Sequence, residues 1–243
     1  MIPTEESMSL NVGRVPHVCA MILAAGSGSR MKADITKQKM LVGNMSVLRR
    51  TVSAFDKCRD VHSLVVAVRE DEVDFARREL AGIKKPMNIV IGGKNRAESA
   101  AVAFGAVGAD ATHVAIHDGA RCLISPEMIS MVVAEAAKCG AASAVSMIYD
   151  TVKRIDEAGN IVATVDRSRL VRATTPQVFD IGIYKRAIES YPADEAITDD
   201  NMLVERLGIP VKAVDVGASN IKITTMQDIK YAEFLLGEGE KNV

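Results

Sequence analysis

Short apolar runs alternate with amphipathic stretches through the first two thirds of the chain, and this rhythm predicts the fold. Residues 18–25, 62–68, 87–91, 113–117 and 142–147 are apolar almost throughout, the pattern of strands covered on both faces. Between them, residues 47–55, 71–80, 96–107 and 125–138 carry helical spacing. Ser125 before Pro126 reads as an N-cap followed by proline at the first helical position. Strands separated by helices, joined by right-handed crossovers, predict a doubly wound α/β fold: a mostly parallel sheet with helices on both faces.

The rhythm breaks near residue 150. The stretch TVKRIDEAGNIVATVDR, residues 151–167, is β-branched at both ends with Glu157-Ala158-Gly159-Asn160 between, a hairpin pattern. A hairpin with so little apolar surface is marginal alone. It is expected to project as an arm at about 150–170 and to pack against something, a second subunit being the natural candidate. Beyond it, residues 180–190 and 199–207 read as helices and 211–216 as a strand. Thr225 with Asp228 then opens a final helix as a capping-box variant. No internal repeat or linker interrupts the chain, so residues 1–243 are read as one domain with an arm.

Composition narrows the class without naming a function. Of 243 residues, 48% are hydrophobic and 25% charged, with a net charge of −1. No polybasic surface for nucleic acid or membrane is expected. Cys19, Cys58, Cys122 and Cys139 lie far apart without a C-x-x-C pair, as reduced thiols rather than a disulfide framework or zinc site. The polar first residues have no apolar core of a signal peptide, and no apolar run is long enough to span a membrane. The expectation is a soluble, cytoplasmic protein with no metal held by a protein ligand cluster.

Candidate chemistry collects where strands end. The first strand runs into Ala24-Ala25-Gly26-Ser27-Gly28-Ser29-Arg30-Met31. Ligands of open α/β sheets bind at such carboxyl ends, and Gly26 and Gly28 let backbone N–H groups approach phosphate oxygens. Met31 stands where a dinucleotide fingerprint needs its third glycine, and the G-K-[ST] of a Walker loop is absent. A structural turn explains a lone G-x-G equally well. Arg30 and Lys37 add two cations suited to charge on a transferring phosphoryl group. Further clusters follow later strands: Gly92-Gly93-Lys94-Asn95-Arg96 with Ser99, His117-Asp118-Gly119-Ala120-Arg121, and Asn220-Ile221-Lys222-Ile223-Thr224. Each alone could be a turn with a helix cap; their recurrence along one sheet edge argues for a site.

Taken in order, AAGSGSRM, Lys37-Gln38, GGKNRAES, HDGAR, DTVKRID, TVDRSRL, TTPQVF, ITDD and NIKIT closely resemble the 2-C-methyl-D-erythritol 4-phosphate cytidylyltransferases of the non-mevalonate isoprenoid pathway, from about residue 18 to 236. The resemblance implies that CTP and methylerythritol phosphate give the cytidine diphosphate derivative and pyrophosphate, with Mg²⁺ bound mainly through the CTP phosphates. It implies that Arg30 and Lys37 stabilise the pentacoordinate α-phosphate and that Lys222 holds the reacting phosphates in line. Ala24, Ala25, Gly26 and Gly28 would cradle the nucleotide, with Gly93 and Ser99 at the cytosine and ribose. Asp118 and Arg121 would face the sugar phosphate or ribose. Thr151 and Arg167, on the hairpin, would enter the site of a partner subunit, making the enzyme a homodimer.

The chain departs from the family pattern at several positions. Leu23 and Thr36 replace prolines, the latter beside Lys37, where a less rigid loop is expected. Lys39 takes an aromatic position. Gly119 and Cys122 replace the alanine and proline of HDAARP, placing a cysteine near the site, either as a modifiable thiol or as a buried small hydrophobe. Lys94 and Ser219 fall at variable positions. The alternatives are a ribitol-phosphate or related alditol-phosphate cytidylyltransferase, a nucleotide-binding regulator without turnover, and a nicotinamide oxidoreductase, the last disfavoured by the missing third glycine. His117 is expected to organise its loop rather than bind metal. Asp199-Asp200 either begins a helix or supports the loop near the site.

Overall fold

The computed structural model describes residues 15–26, 35–190 and 197–241. Its centre is a seven-stranded sheet of β1 (Val18–Leu23), β4 (Val61–Val68), β5 (Met87–Ile91), β6 (His113–Asp118), β7 (Ala141–Met147), β10 (Val171–Asp180) and β11 (Lys212–Asp215). The strand order is β11-β7-β10-β6-β1-β4-β5. β1 pairs in parallel with β4 and β6, β4 with β5, and β7 with β11. The doubly wound, mostly parallel sheet expected from the patterning is therefore present.

One strand escaped the pattern. β10 runs antiparallel between β6 and β7, in the stretch that carries the TTPQVF motif. Its polar residues Thr174, Thr175 and Gln177 are buried, so alternation gives no signal. Pro176 lacks the N–H a central strand needs, and it lies where the register with β7 shifts, between Ala173 and Gln177, as proline inside sheets does. Its peptide bond to Thr175 is cis. A short hairpin of β2 (Leu41–Val42) and β3 (Met45–Ser46) was also not anticipated.

Helices cover both faces because β1 presents apolar side chains to both. Val18, Ala20 and Ile22 join one core, with Leu48, Val52 and Phe55 of α1 (Val47–Lys57), Ala76 of α2 (Val73–Glu79) and Ile129 and Val132 of α4 (Pro126–Cys139). Cys19, Met21 and Leu23 join the other, with Ala100 and Ala103 of α3 (Arg96–Gly105), Ile183 and Tyr184 of α5 (Ile181–Glu189) and Leu203 and Val204 of α6 (Asp200–Arg206). Each such aliphatic side chain contributes about 1.5–3 kcal/mol on burial. A third cluster joins β2 and the loop at Ala120–Cys122 to Ile229 and Ala232 of α7 (Met226–Lys241).

The local signals act as anticipated. Ser125 accepts the Met128 N–H at the start of α4, Pro126 occupies the first turn, and Gly140 closes the helix at φ 82°, a left-handed position that favours glycine. Thr225 and Asp228 exchange backbone-to-side-chain hydrogen bonds of 2.8 and 3.3 Å, completing a capping box. The stretch 71–80 divides into a 3₁₀ turn, Glu70–Glu72, and α2.

The arm forms a separate two-stranded sheet, β8 (Val152–Ile155) against β9 (Ile161–Val165). Its turn closes through Asp156 and Asn160, with Gly159 at φ 85°. β6 and β7 both run antiparallel to β10, so they share a direction, and the arm leaves β7 on the same sheet edge where β1, β4 and β6 end.

Candidate active site

The site forms where strand order reverses. β1 continues to β4 and β5 on one side and lies against β6 on the other, leaving a crevice beyond the carboxyl ends. A cleft of about 280 Å³ opens there, lined by Ala25 and Gly26 after β1, Gly93 to Arg96 after β5, Asp118 at the end of β6, and Lys37 and Lys222. Four cationic side chains (Lys37, Lys94, Arg96, Lys222) face one carboxylate, Asp118, among these lining residues. The surplus of three positive charges draws in a multiply anionic ligand.

Close backbone approach shapes the floor. The Ala24 N–H donates to Ala67 O at 2.7 Å and the Gly92 N–H to Val68 O at 2.8 Å, so the turns after β1 and β5 extend the sheet on either side of the end of β4. A Cβ on Gly92 would sit 2.4 Å from Ala25 Cβ, and one on Gly93 would sit 2.2 Å from Glu98 Cβ. The Gly93 N–H donates to Ser99 Oγ at 3.1 Å, while Asn95 caps α3 by accepting the Glu98 N–H at 2.8 Å. Gly119 is equally constrained: a Cβ there would meet Ala24 Cβ at 2.9 Å and Leu23 O at 3.1 Å. Glycine at this departure from the family pattern thus lets the turns after β1 and β6 touch.

Asp118 organises the cationic wall. Lys222 Nζ lies 2.9 Å and Arg121 Nε 3.3 Å from Oδ2, and Arg96 Nε lies 3.4 Å from Oδ1. Burial alone would raise the Asp118 pKa; the charges of Lys222, Arg96 and Arg121 outweigh it and hold the carboxyl well below its usual range. Arg96 in turn reaches Asp200, Nη1 to Oδ2 2.6 Å, an approach that is close but not aligned as an N–H hydrogen bond. Burial disfavours its charge, but Asp200 and Asp118 keep Arg96 more firmly protonated than usual. Asp200 also accepts from Tyr184 Oη at 2.6 Å and donates its N–H to Gln177 Oε1 at 2.9 Å. Asp199 caps α6. The pair therefore both starts a helix and supports the wall.

Behind Asp118 sits His117, fully buried, its pKa pushed by burial down to about 4. It is therefore neutral at pH 7. Its Nε2 lies 3.2 Å from the Arg121 carbonyl, which only accepts, so Nε2 carries the proton and Nδ1 is an acceptor. Thr175 Oγ1 donates to Nδ1 at 2.9 Å and accepts the Asp118 N–H at 3.0 Å. Asn220 donates to Thr175 O at 2.7 Å, and its own carbonyl accepts from Arg121 Nη1 at 2.9 Å. Thus the unanticipated strand β10 supplies, at Thr175, the hydroxyl that fixes Asp118 and the backbone carbonyl that holds Asn220 in the loop bearing Lys222. His117 organises its loop, as its sequence context suggested.

The structure brings Ala24, Ala25, Gly26, Lys37, Gly93, Ser99, Asp118 and Lys222 together at this cleft or its floor. Gly28 and Arg30 lie outside the described residues. Arg121 is not among the residues lining the cleft; its guanidinium contacts Asp118 and the Asn220 backbone carbonyl and braces the wall beside it. Thr151 and Arg167 are exposed at the base of the arm, on the cleft's edge of the sheet but outside its lining. Cys122 is buried in the third core cluster, its pKa pushed by burial up to about 11, so it is packing and not a reactive thiol. Sequence reasoning gave no role to Arg96, Asn220 or Thr175. All three stood inside recognised motifs, but only tertiary pairing shows what they hold.

A glycine-lined turn at the switch point of a doubly wound sheet, walled by lysine and arginine, defines a nucleotidyltransferase. The family model described as IspD, 2-C-methyl-D-erythritol 4-phosphate cytidylyltransferase, matches residues 18–238, and the chain belongs to that family. A relative of this name from Symbiobacterium thermophilum is 39% identical over 95% of this chain and 98% of its own. Another, from Syntrophus aciditrophicus, is 35% identical over 94% and 99%. The crystal structure of 4-diphosphocytidyl-2C-methyl-D-erythritol synthase from Anaerococcus prevotii superposes with a TM-score of 0.83 at 29% identity, covering 92% of this chain and 97% of that one. No helix among the described residues is long and apolar enough to cross a membrane.

Proposed function

We propose that this cytidylyltransferase joins CTP to 2-C-methyl-D-erythritol 4-phosphate in the cytoplasm, releasing pyrophosphate. The observation that carries the reading is the cationic cleft at the switch point, which offers charge and hydrogen-bond donors and, among the described residues, no nucleophile–base pair. That suits a reaction whose nucleophile is already an anion. An acceptor phosphate oxygen attacks the α-phosphorus of CTP; the new P–O bond forms as the α–β bridging P–O bond breaks, and the electron pair leaves with pyrophosphate. Positioning and charge stabilisation then dominate catalysis. Lys37 and Arg30 neutralise the α-phosphate as it becomes pentacoordinate, Lys222 aligns the reacting phosphates, and Gly93 and Ser99 border the nucleoside.

No three His, Cys, Asp or Glu side chains converge among the described residues, and Asp118 is already shared by three cations. This donor set suits Mg²⁺ carried in by the triphosphate, with Asp118 as the nearby carboxylate. Such an ion would supply further neutralisation of the CTP phosphates.

The arm supports a dimer in this reading. Tyr149, Ile155, Ile161 and Val162 expose apolar surface on or beside it, and Thr151 and Arg167 do not line the cationic cleft among the described residues. A partner copy would cover the first set and receive the second, Arg167 gripping the acceptor phosphate. Pyrophosphate release measured with CTP and either methylerythritol phosphate or ribitol phosphate tests the proposal. Turnover with the first alone is expected, falling by roughly 10²–10³ in Lys37→Ala or Lys222→Ala. Turnover only with ribitol phosphate would overturn the acceptor, and CTP binding without turnover would overturn the activity.

A further inference from the structure

The segment bearing Lys37 is held from two sides. Toward α1, the Leu48 N–H donates to Gln38 O at 3.2 Å and the Val47 N–H to Met40 O at 2.8 Å. Within the turn, Lys39 N–H donates to Thr36 O and Met40 N–H to Lys37 O, at 3.0 and 3.3 Å. On the far side stands Glu72, the last residue of the 3₁₀ turn after β4, only 1% exposed. Thr36 Oγ1 donates to Glu72 Oε1. Lys39 Nζ lies 3.8 Å from the same oxygen and 5.5 Å from the centre of the Phe75 ring. The residues one before and two after Lys37 thus converge on one buried carboxylate.

A buried carboxylate is costly unless paired and hydrogen-bonded, and both of these partners come from the Lys37 turn. They are also the two positions, Thr36 and Lys39, where proline and an aromatic residue would be expected from the resemblance. A proline restrains the backbone covalently; here a threonine hydroxyl and an ammonium do so through Glu72. We propose that Glu72 is a positioning residue that fixes the Lys37 turn against the β4–α2 junction, so that the Lys37 ammonium meets the transferring phosphate in register. Phe75 completes the clamp by holding the Lys39 ammonium over its ring. The inference rests on the role proposed for Lys37, and its test separates the two.

The full-length protein would be compared with Glu72→Gln, which keeps the shape but loses the charge, and with Thr36→Val combined with Lys39→Met, which disarms the clamp from the turn side. Hydrogen exchange at the Lys39 and Met40 amides reads the turn directly, and is expected to quicken roughly tenfold or more in both variants while β1 amides hold. With both substrates, kcat is expected to fall roughly ten- to a hundredfold, as misplacement by about 1 Å produces, with the KM for CTP within about twofold. The same substitutions placed in Lys37→Ala should cost nothing further, because Glu72 acts through Lys37. Unchanged exchange overturns the clamp, and a full additional loss in the Lys37→Ala background overturns its action through that lysine. If Lys37→Ala itself keeps wild-type kcat, the role given to Lys37 fails, and with it the catalytic purpose of the clamp, whereas exchange still reports whether Glu72 orders the turn.

Discussion

The cleft and the arm leave the same edge of the sheet but are built on opposite principles. In the cleft wall, Asp118, Arg96, Asp200, His117, Thr175, Asn220 and Arg121 form one connected set of hydrogen bonds and ion pairs. The arm has its own ladder and a closed turn, yet most of its side chains lie in solvent. The wall's polar groups are largely buried and hold one another through hydrogen bonds and ion pairs within one chain, an arrangement that makes losing any one expensive. The arm's mostly exposed side chains have little buried contact to lose within the chain that bears them. Geometry for phosphoryl transfer belongs on the first kind of structure; the partner contact proposed for the arm would belong on the second.

The strongest way to break this contrast is Asp118→Asn. It keeps the shape but leaves Lys222, Arg96 and Arg121 without their shared anion. Removing one member of a buried ion pair costs about 3–5 kcal/mol, and the partial exposure of Lys222 places this case near 3. Denaturant unfolding is expected to show that loss together with weakened turnover. A change under about 0.5 kcal/mol would mean that the wall is no more integrated than the arm.

A nearly equal effect is expected from pH, and its sign can be worked out from His117. Its pKa is about 4 in the folded chain against an ordinary 6.5, so on acidification the unfolded chain takes up the proton first. The stability this group supplies is complete above about pH 6.5 and is lost as pH falls toward 4, on the order of 3 kcal/mol in all. His62 and His113 are also lowered by burial and add in the same direction. The difference between wild type and His117→Asn across that window isolates one residue. The Asp118 contribution disappears only at lower pH, since its folded value lies below the carboxylate range. Parallel stability curves for the two proteins would sink the assignment of a buried neutral imidazole.

How much of this was legible beforehand follows the same division. Strands apolar on both faces, such as β1, and helices with strong caps, such as α4, can be read from local pattern because burial and capping act over a few residues. The phosphate turns were legible as glycine clusters after strands. β10 was not, because its buried positions are threonine and glutamine whose partners lie far along the chain. Thr175 reaches His117, 58 positions away, and Gln177 reaches Asp199. Arg121 illustrates the same limit from the other side: its motif placed it near the site, but only the position of Asn220 shows that its guanidinium faces inward. From the sequence, Thr36 reads as a loosening of the Lys37 loop and Lys39 only as a departure from an aromatic position; Glu72 is the partner the two share.

The arm is probed by Arg167→Ala. The side chain is exposed and outside its own chain's cleft, so folding stability should hold. If the partner's acceptor phosphate is its target, losing a charge-assisted contact worth about 1.5–3 kcal/mol raises the KM for methylerythritol phosphate roughly ten- to a hundredfold. The KM for CTP should stay within about twofold. Equal weakening of both substrates would remove the distinction between a self-contained nucleotide site and an acceptor grip lent by the arm.

The smallest effect on the single chain, and the sharpest test of what the arm is for, comes from Ile161→Ser. Ile161 is 67% exposed, so its removal costs the isolated fold at most about 0.5 kcal/mol. With its cross-strand partner Ile155 it exposes apolar surface on a two-stranded ribbon too small to have a core of its own. If a second copy covers that surface, the substitution weakens self-association while leaving the unfolding of the monomer unchanged. Sedimentation at several protein concentrations reads the first quantity and denaturant unfolding of the monomeric fraction the second. Loss of association without loss of folding is the expected outcome. A chain that unfolds more easily with unaltered association would instead place Ile161 in the domain's own packing, and the contrast between wall and arm would fail at the arm.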